Sequence, residues 1–385
     1  MKIVLNTLLA KKNGGGGFQI SLNFILKTWK NNEYGDVEWY YFTSADLDEI
    51  VGEYFKDKVG KNYFVFPTQP NANSFCRVQR QIRKLEKRIA PDLIYSILSP
   101  SYFFFRTPEV MRCCNAWDLI PRNHIVYSKV PTKYRRKYYF KSILTRRLMK
   151  RAKCFITQTS TAQDGISQVM NISGERIKVV PNVLPMVFSS SDTGELHHEG
   201  VNIVYVAASC PHKNIDIVPE VTSILRDKYG IRDVHFILTV PYESTEAITH
   251  LENDSARLGV SDMIVNKGRL KQEDLADLYR QGDIGFFPSL LETFSATLLE
   301  YMKFGLPIVA SDFSFNRDVT DSAALYFEPM NAEAAAAQLA RLINEPALRS
   351  QLVENTQERI KLFDSFDRYY EETVDFLVEV GKGSG

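Results

Sequence analysis

Two carboxylates, Glu292 and Glu300, stand eight residues apart in the stretch Phe286-Phe-Pro-Ser-Leu-Leu-Glu-Thr-Phe-Ser-Ala-Thr-Leu-Leu-Glu. The pattern passes from a strand through a polar loop to a helix that begins near Thr297. A loop carboxylate can accept hydrogen bonds from sugar hydroxyls, and one in a first helical turn can hold a ribose diol. Between them, the free amides of a helix N-terminus offer an anion such as a diphosphate a place to bind. Thr297-Leu-Leu-Glu300 also fits a capping box, in which Glu300 serves only the helix end. The pattern alone leaves both readings open.

A second constellation is Pro211-His212-Lys213-Asn214, directly after the apolar run Val201-Asn-Ile-Val-Tyr-Val-Ala. A loop following a strand of a doubly wound sheet lines the ligand crevice, and a lysine there suits a phosphate. The plainer alternative is a surface turn with an exposed lysine. Gly14 to Gly17 follow the first strand, where glycine lets backbone approach a ligand, yet the dinucleotide fingerprint is absent and a flexible turn fits as well. Asp46-Leu-Asp48-Glu49 reads as a helix start rather than a metal motif. His197 and His198 cannot aim both rings at one ion, so no metal site is expected.

These residues need a scaffold of parallel strands. Short apolar runs at KIVLNTLL, VEWYYFTS, DLIYSIL, MRCCNAW, KCFITQT and IKVVPNV alternate with helical or basic segments, the βα rhythm of a sheet covered on both faces. Residues 185–200 have a linker's Ser, Gly and Pro content. A second alternation follows, with strands at VNIVYVA, VHFILTV, MIVNKG, DIGFFPS, PIVASD and ALYFEP and helices near 215–228, 245–258, 272–281, 296–304 and 332–344. The expected division is 1–184 as an N-terminal Rossmann-like acceptor domain and 185–362 as a C-terminal Rossmann-like donor domain. A last helix, about 363–380, is expected to pack back on the first. At 385 residues, two domains are the natural count.

The run from Pro288-Ser289 through Glu292, Phe294 and Glu300 to Phe304-Gly-Leu-Pro-Ile-Val-Ala-Ser-Asp312 resembles the signature region of glycosyltransferase family 4. The likeness extends to the glycine loop, Pro181-Asn-Val and Ala324-Leu-Tyr-Phe-Glu-Pro329. It implies an α/β GT-B fold, two Rossmann-like doubly wound domains facing a central cleft, and retaining, metal-independent transfer. By that resemblance Glu292 holds the donor sugar, Glu300 the ribose and Lys213 a phosphate. The Thr297 and Leu298 amides face the diphosphate, with Phe294 and Ser295 in the same loop and Gly16 and Gly17 near donor and acceptor. The stretch Asn115-Ala-Trp117-Asp118-Leu-Ile-Pro121 resembles one where a histidine precedes the aspartate. Asp118 is then catalytic, while Trp117 can stack on a sugar but cannot handle a proton. Core packing for Trp117 and a helix cap for Asp118 remain the plainer reading. The family's arginine five residues before the lysine is Ala208 here. Either another cation such as Arg269 substitutes, or the diphosphate is held less strongly.

Composition narrows the partners. The chain is 44% hydrophobic and 24% charged, with five cysteines and no CxxC, which suggests neither a disulfide framework nor a zinc site. Residues 1–185 hold 30 Lys and Arg against 14 Asp and Glu, leaving 17 against 32 in the rest. Residues 129–153 carry eleven Lys and Arg and no acid, interspersed with aromatic and aliphatic residues. Contact with an anionic membrane or a lipid-linked acceptor is the expected use of that face, ahead of a solvated surface and of RNA. With no long apolar run, the expectation is a cytoplasmic enzyme, peripheral at the inner face of the membrane. It would need no cofactor beyond a UDP- or GDP-linked sugar as co-substrate, would act on a glycan or lipid-linked acceptor in bacterial surface polysaccharide synthesis, and would bind no nucleic acid. The rival reading is a catalytically weak GT-B protein that only binds nucleotide sugar.

Overall fold

A computed structural model describes residues 1–12, 15–30, 37–68, 72–189, 191–194, 198–271 and 274–383. It divides into two compact units, one of 1–121, 136–181 and 367–385, the other of 122–135 and 182–366.

The first unit is built on β1 (Lys2–Thr7), β2 (Glu38–Ser44), β3 (Tyr63–Phe66), β4 (Leu93–Ser96), β5 (Glu109–Arg112), β6 (Cys154–Thr157) and β7 (Ile177–Val179). They form one parallel sheet in the order β3-β2-β1-β4-β5-β6-β7. Runs such as Ile3-Val-Leu are fully buried because helices cover both faces. Those helices are α1 (Gly16–Lys30), α2 (Ala45–Val51), α3 (Ala72–Ile89), α4 (Thr132–Met149) and α5 (Ser160–Met170). The short edge strand β3 was not among the expected runs. The Asp46 segment opens α2, as the helix-start reading has it, but Ser44 makes the cap by accepting the Leu47 N–H.

The second unit repeats the rhythm with β8 (Val201–Tyr205), β9 (Val234–Leu238), β10 (Ile264–Asn266), β11 (Ile284–Phe287), β12 (Ile308–Ser311) and β13 (Ala324–Phe327), ordered β10-β9-β8-β11-β12-β13 and all parallel. Its helices are α6 (Val218–Asp227), α7 (Thr245–Leu258), α8 (Asp274–Arg280), α9 (Ala296–Lys303), α10 (Ser314–Thr320), α11 (Ala332–Asn344) and α12 (Pro346–Ile360). Neither α10 nor α12 was expected; α12 starts on a proline at its first position, a good place for one. Strand order reverses between β8 and β11, where open parallel sheets bind ligands at their carboxyl ends. Gly285 in β11 is required there: a Cβ would lie 2.5 Å from the Tyr301 ring of α9. That ring lies tight on the strand, and its hydroxyl donates to the Val204 carbonyl at 2.9 Å, which seats α9 over β8 and β11.

Two boundaries differ from the expected ones. Residues 185–200 are not simply a linker, because Phe188 is fully buried against Tyr279 and Phe304 in the second unit. Residues 122–135 fall before residue 184 yet pack with the second unit. The last helix, α13 (Phe366–Lys382), runs with the first unit from Asp367 onward. There Tyr370 meets Phe24 of α1 at 5.1 Å between ring centroids, and Asp367 pairs with Lys27 at 2.7 Å.

Candidate donor site

Lys213 closes the 3₁₀ turn Pro211–Lys213 after β8, and Glu292 lies in the loop after β11. Because β8 and β11 are neighbours, the two meet: Lys213 Nζ donates to Glu292 Oε1 at 2.5 Å, with the side chains only 14% and 15% exposed. Ser289 Oγ donates to the same oxygen at 3.0 Å. The ammonium also lies 5.4 Å from the centre of the Phe287 ring. The loop and the turn are joined through the backbone, Leu290 N–H to the His212 carbonyl at 2.7 Å, while the Tyr205 hydroxyl donates to the Lys213 carbonyl. Behind Ser289, the Ser311 hydroxyl holds the Ser289 carbonyl, and Asn316 Nδ2 donates to the Ser311 carbonyl at 2.8 Å. The loop is therefore preorganised by buried groups of β12 and α10.

Glu300 occupies the fifth position of α9, one residue later in the helix than the start expected near Thr297 gives it. It is 7% exposed and accepts the Tyr279 hydroxyl of α8, so no capping box forms; Ser295 is the N-cap and makes no side-chain cap bond. Burial pushes the Glu300 carboxyl up to about 7, against the opposing effects of the Tyr279 hydroxyl and the Lys213 charge. Thr297 is half-buried, and Leu298 puts its side chain into the core, so its amide is what it has for a ligand. The Phe294 ring, too, is core, set edge-on to Phe363 at 5.8 Å.

Arg269 pairs with Glu243 at 3.0 Å in solvent, the two side chains 70% and 66% exposed. Gly16, Gly17 and Asp118 belong to the first unit. Gly16 and Gly17 open α1; a Cβ on Gly17 would come 3.0 Å from Leu98, so helix packing already accounts for that glycine, whereas Gly16 has open space around it. Gly14 lies outside the described residues, as does His197. Asp118 is buried on the turn Ala116–Asp118, where Asn115 Nδ2 donates to it at 2.6 Å. Desolvation pushes its carboxyl up to about 6, opposed by that bond and by the charges of Lys141 and Arg146. Trp117 stacks on Tyr138 of α4 at 4.9 Å. Among the described residues no three His, Cys, Asp or Glu side chains gather as metal ligands, and no helix is long and apolar enough to cross a membrane. Nothing in the spacing of Tyr279 and Asn316 marks them in the sequence, and Ser289 is marked there only as part of the signature run.

Comparison with known proteins bears on the fold and the enzyme class. Residues 192–359 match the family model of glycosyl transferases group 1. The O-antigen chain mannosyltransferase RfbU of Salmonella typhimurium is 23% identical over 335 residues, 85% of this chain and 87% of that protein. The MMP alpha-(1->4)-mannosyltransferase of Mycolicibacterium hassiacum is 26% identical over 58% of this chain and 53% of its own length. Among solved structures, Anabaena HepE in complex with UDP and glucose aligns with a TM-score of 0.71 at 16% identity, covering 98% of this chain and all of that one. WaaG, a glycosyltransferase involved in lipopolysaccharide biosynthesis, aligns at 0.64 with 14% identity over 97% and 99% of the two chains. The structural likenesses establish the fold, two Rossmann-like parallel-sheet domains of the GT-B kind. The group 1 domain and the named relatives make the chain a glycosyltransferase.

Proposed function

We propose that this glycosyltransferase moves a sugar from a UDP- or GDP-linked donor to a glycan or lipid-linked acceptor in the cytoplasm, with retention of configuration and without a metal, in bacterial surface polysaccharide synthesis. The observation that carries the donor side is the buried Lys213–Glu292 pair at the switch point of the second sheet, next to the N-terminus of α9. A donor diphosphate takes over Lys213 and the free amides at Thr297 and Leu298, which releases Glu292 to accept hydrogen bonds from sugar hydroxyls while Glu300 holds the ribose. As the glycosidic bond breaks, the anomeric carbon gains oxocarbenium character, and the departing diphosphate accepts the acceptor's proton on the same face. The second unit takes the donor and the first the acceptor, with Asp118 catalytic at the transferred sugar and Gly16 and Gly17 near donor and acceptor. The polysaccharide setting rests on the relatives' names, an O-antigen mannosyltransferase and a lipopolysaccharide glycosyltransferase among them.

The first experiment is a thermal-shift panel of UDP-, GDP-, ADP- and dTDP-sugars with and without EDTA. One nucleotide class at a hundred times its Kd adds about 2.7 kcal/mol to the folded state, and the expected rise in Tm persists in EDTA. No shift with any of them, or a shift that EDTA abolishes, overturns the donor or the metal-independent part of the reading. A shift with no transfer and no hydrolysis points to a binding protein instead.

The basic helix α4 carries a matching expectation for the acceptor side. Phe140 and Leu144 are 66% and 58% exposed beside Lys137, Lys141 and Arg147, while Ser142, Thr145 and Met149 face inward. Apolar side chains flanked by cations suit the interface of an anionic bilayer. Sedimentation with phosphatidylglycerol vesicles is expected to pull the protein down, phosphatidylcholine vesicles are not, and Phe140→Asp with Leu144→Asp should release it. Equal recovery with both vesicle types removes the membrane from the proposal.

A further inference from the structure

Residues 122–135 lie well before the second sheet in sequence, yet they pack inside the second unit. His124 caps the 3₁₀ turn Ile125–Lys129 by accepting the Val126 N–H at Nδ1, 3.2 Å away. Its ring stacks on Phe313 at 6.1 Å, just before α10. Ser128 reaches Met330, just before α11, and Lys129 Nζ pairs with Asp216 Oδ2 at 2.6 Å, just before α6. All three contacts lie near the starts of helices that follow strands of a parallel sheet. The segment therefore runs along the carboxyl ends of the second sheet, the side that bears Lys213 and Glu292. Its own turn packs directly on Pro211–Lys213.

That turn needs outside support. Asn214, which ends it, sits in the left-handed region at φ 55°, and among the described residues its buried carboxamide has no hydrogen-bond partner to brace the loop. The turn's own bonds are Lys213 N–H to the Cys210 carbonyl and Asn214 N–H to the Pro211 carbonyl, at 2.9 and 3.3 Å. Beyond these, the Lys213–Glu292 pair, the Tyr205 hydroxyl, the Leu290 amide and the 122–135 segment are among the holds on it.

We infer that the 122–135 segment positions the lysine turn of the second unit, with Lys129 and Asp216 as its clasp, so that affinity for a nucleoside diphosphate depends on residues from the first half of the sequence. The inference rests on the proposed phosphate role of Lys213. Lys129 is a positioning residue: it acts on the ligand only through Asp216 and the turn they hold.

The test is the charge-swap series Lys129→Glu, Asp216→Lys and the double variant, titrated with UDP and GDP. The pair is partly open, its side chains 21% and 52% exposed, so each single change should raise the nucleotide Kd by about fivefold with little change in Tm. The double variant should return to within about twofold of the parent. Lys129→Met serves if a reversal misfolds. Hydrogen exchange at the amides of 210–215 gives a second readout that does not depend on nucleotide: exchange should quicken in the single variants and recover in the double one. If the parent binds no nucleotide, the donor reading fails while exchange still decides the clasp. Unchanged exchange and unchanged Kd in Lys129→Glu, or no recovery in the double variant, overturns the inference.

Discussion

Lys213→Met is expected to lower sugar transfer by about a hundredfold or more, the usual scale for removing one group that stabilises a developing anion. It should also destabilise the second unit by about 3 kcal/mol, because Glu292 is then left as an unpaired and nearly buried charge. The two effects separate in the double variant. Replacing Glu292 by Gln as well removes the stranded charge, and the amide can still accept from Ser289, whose hydroxyl already points at Oε1. Stability should return to near the parent's while transfer stays lost. Circular-dichroism melting and a radiolabelled-sugar transfer assay read the two quantities on the same preparations. Should Lys213→Met transfer sugar at the parental rate, the pair is structural only, and the donor site must be sought elsewhere.

That pair illustrates what the sequence could and could not convey. Lys213 and Glu292 were each legible, since each follows an apolar run that reads as a parallel strand, and such loops line the crevice. Their contact was not legible. It depends on β8 lying beside β11 although two β-strands and three α-helices separate them in the chain, and strand order is a property of the whole sheet. The same holds for Tyr279 and Glu300, which meet because α8 and α9 converge, and which left the capping box an equal reading until the hydroxyl's partner was known. Arg269 shows the converse. A cation near the right place in the sequence was given to Glu243 by a loop geometry that no pattern encodes. The membership of residues 122–135 was not legible for a different reason: their second half reads as part of the basic stretch 129–153, and only packing assigns them to the second unit.

Glu300 makes the pH dependence specific. A carboxyl whose folded pKa stands at about 7, above its unfolded value of 4.5, binds its proton more tightly in the folded state. Its contribution is therefore fully present at low pH, declines as pH rises from about 4.5 to 7, and is lost above that. Integrated over the window, the loss is on the order of 3 kcal/mol. Glu300→Gln keeps the shape and an acceptor for the Tyr279 hydroxyl but has no charge to bury. It should melt several degrees above the parent at pH 8 and level with it at pH 4.5. Glu109 and Asp118 of the first unit are also pushed up by burial, to about 7 and about 6, and they tilt both proteins alike, so the difference between the two curves isolates Glu300. Nucleotide binding should move the other way. If the ionised carboxylate receives a ribose diol, the variant loses hydrogen bonds to a charged group, each worth about 1.5–3 kcal/mol. Its nucleotide Kd should then rise by at least tenfold, and the parent's affinity should strengthen as pH climbs toward 7. A variant that is more stable at pH 8 and binds nucleotide as well as the parent would make Glu300 a burdened core residue and leave the ribose without its partner. A variant that weakens on both counts would mean that the carboxylate is ionised and paired in the free protein.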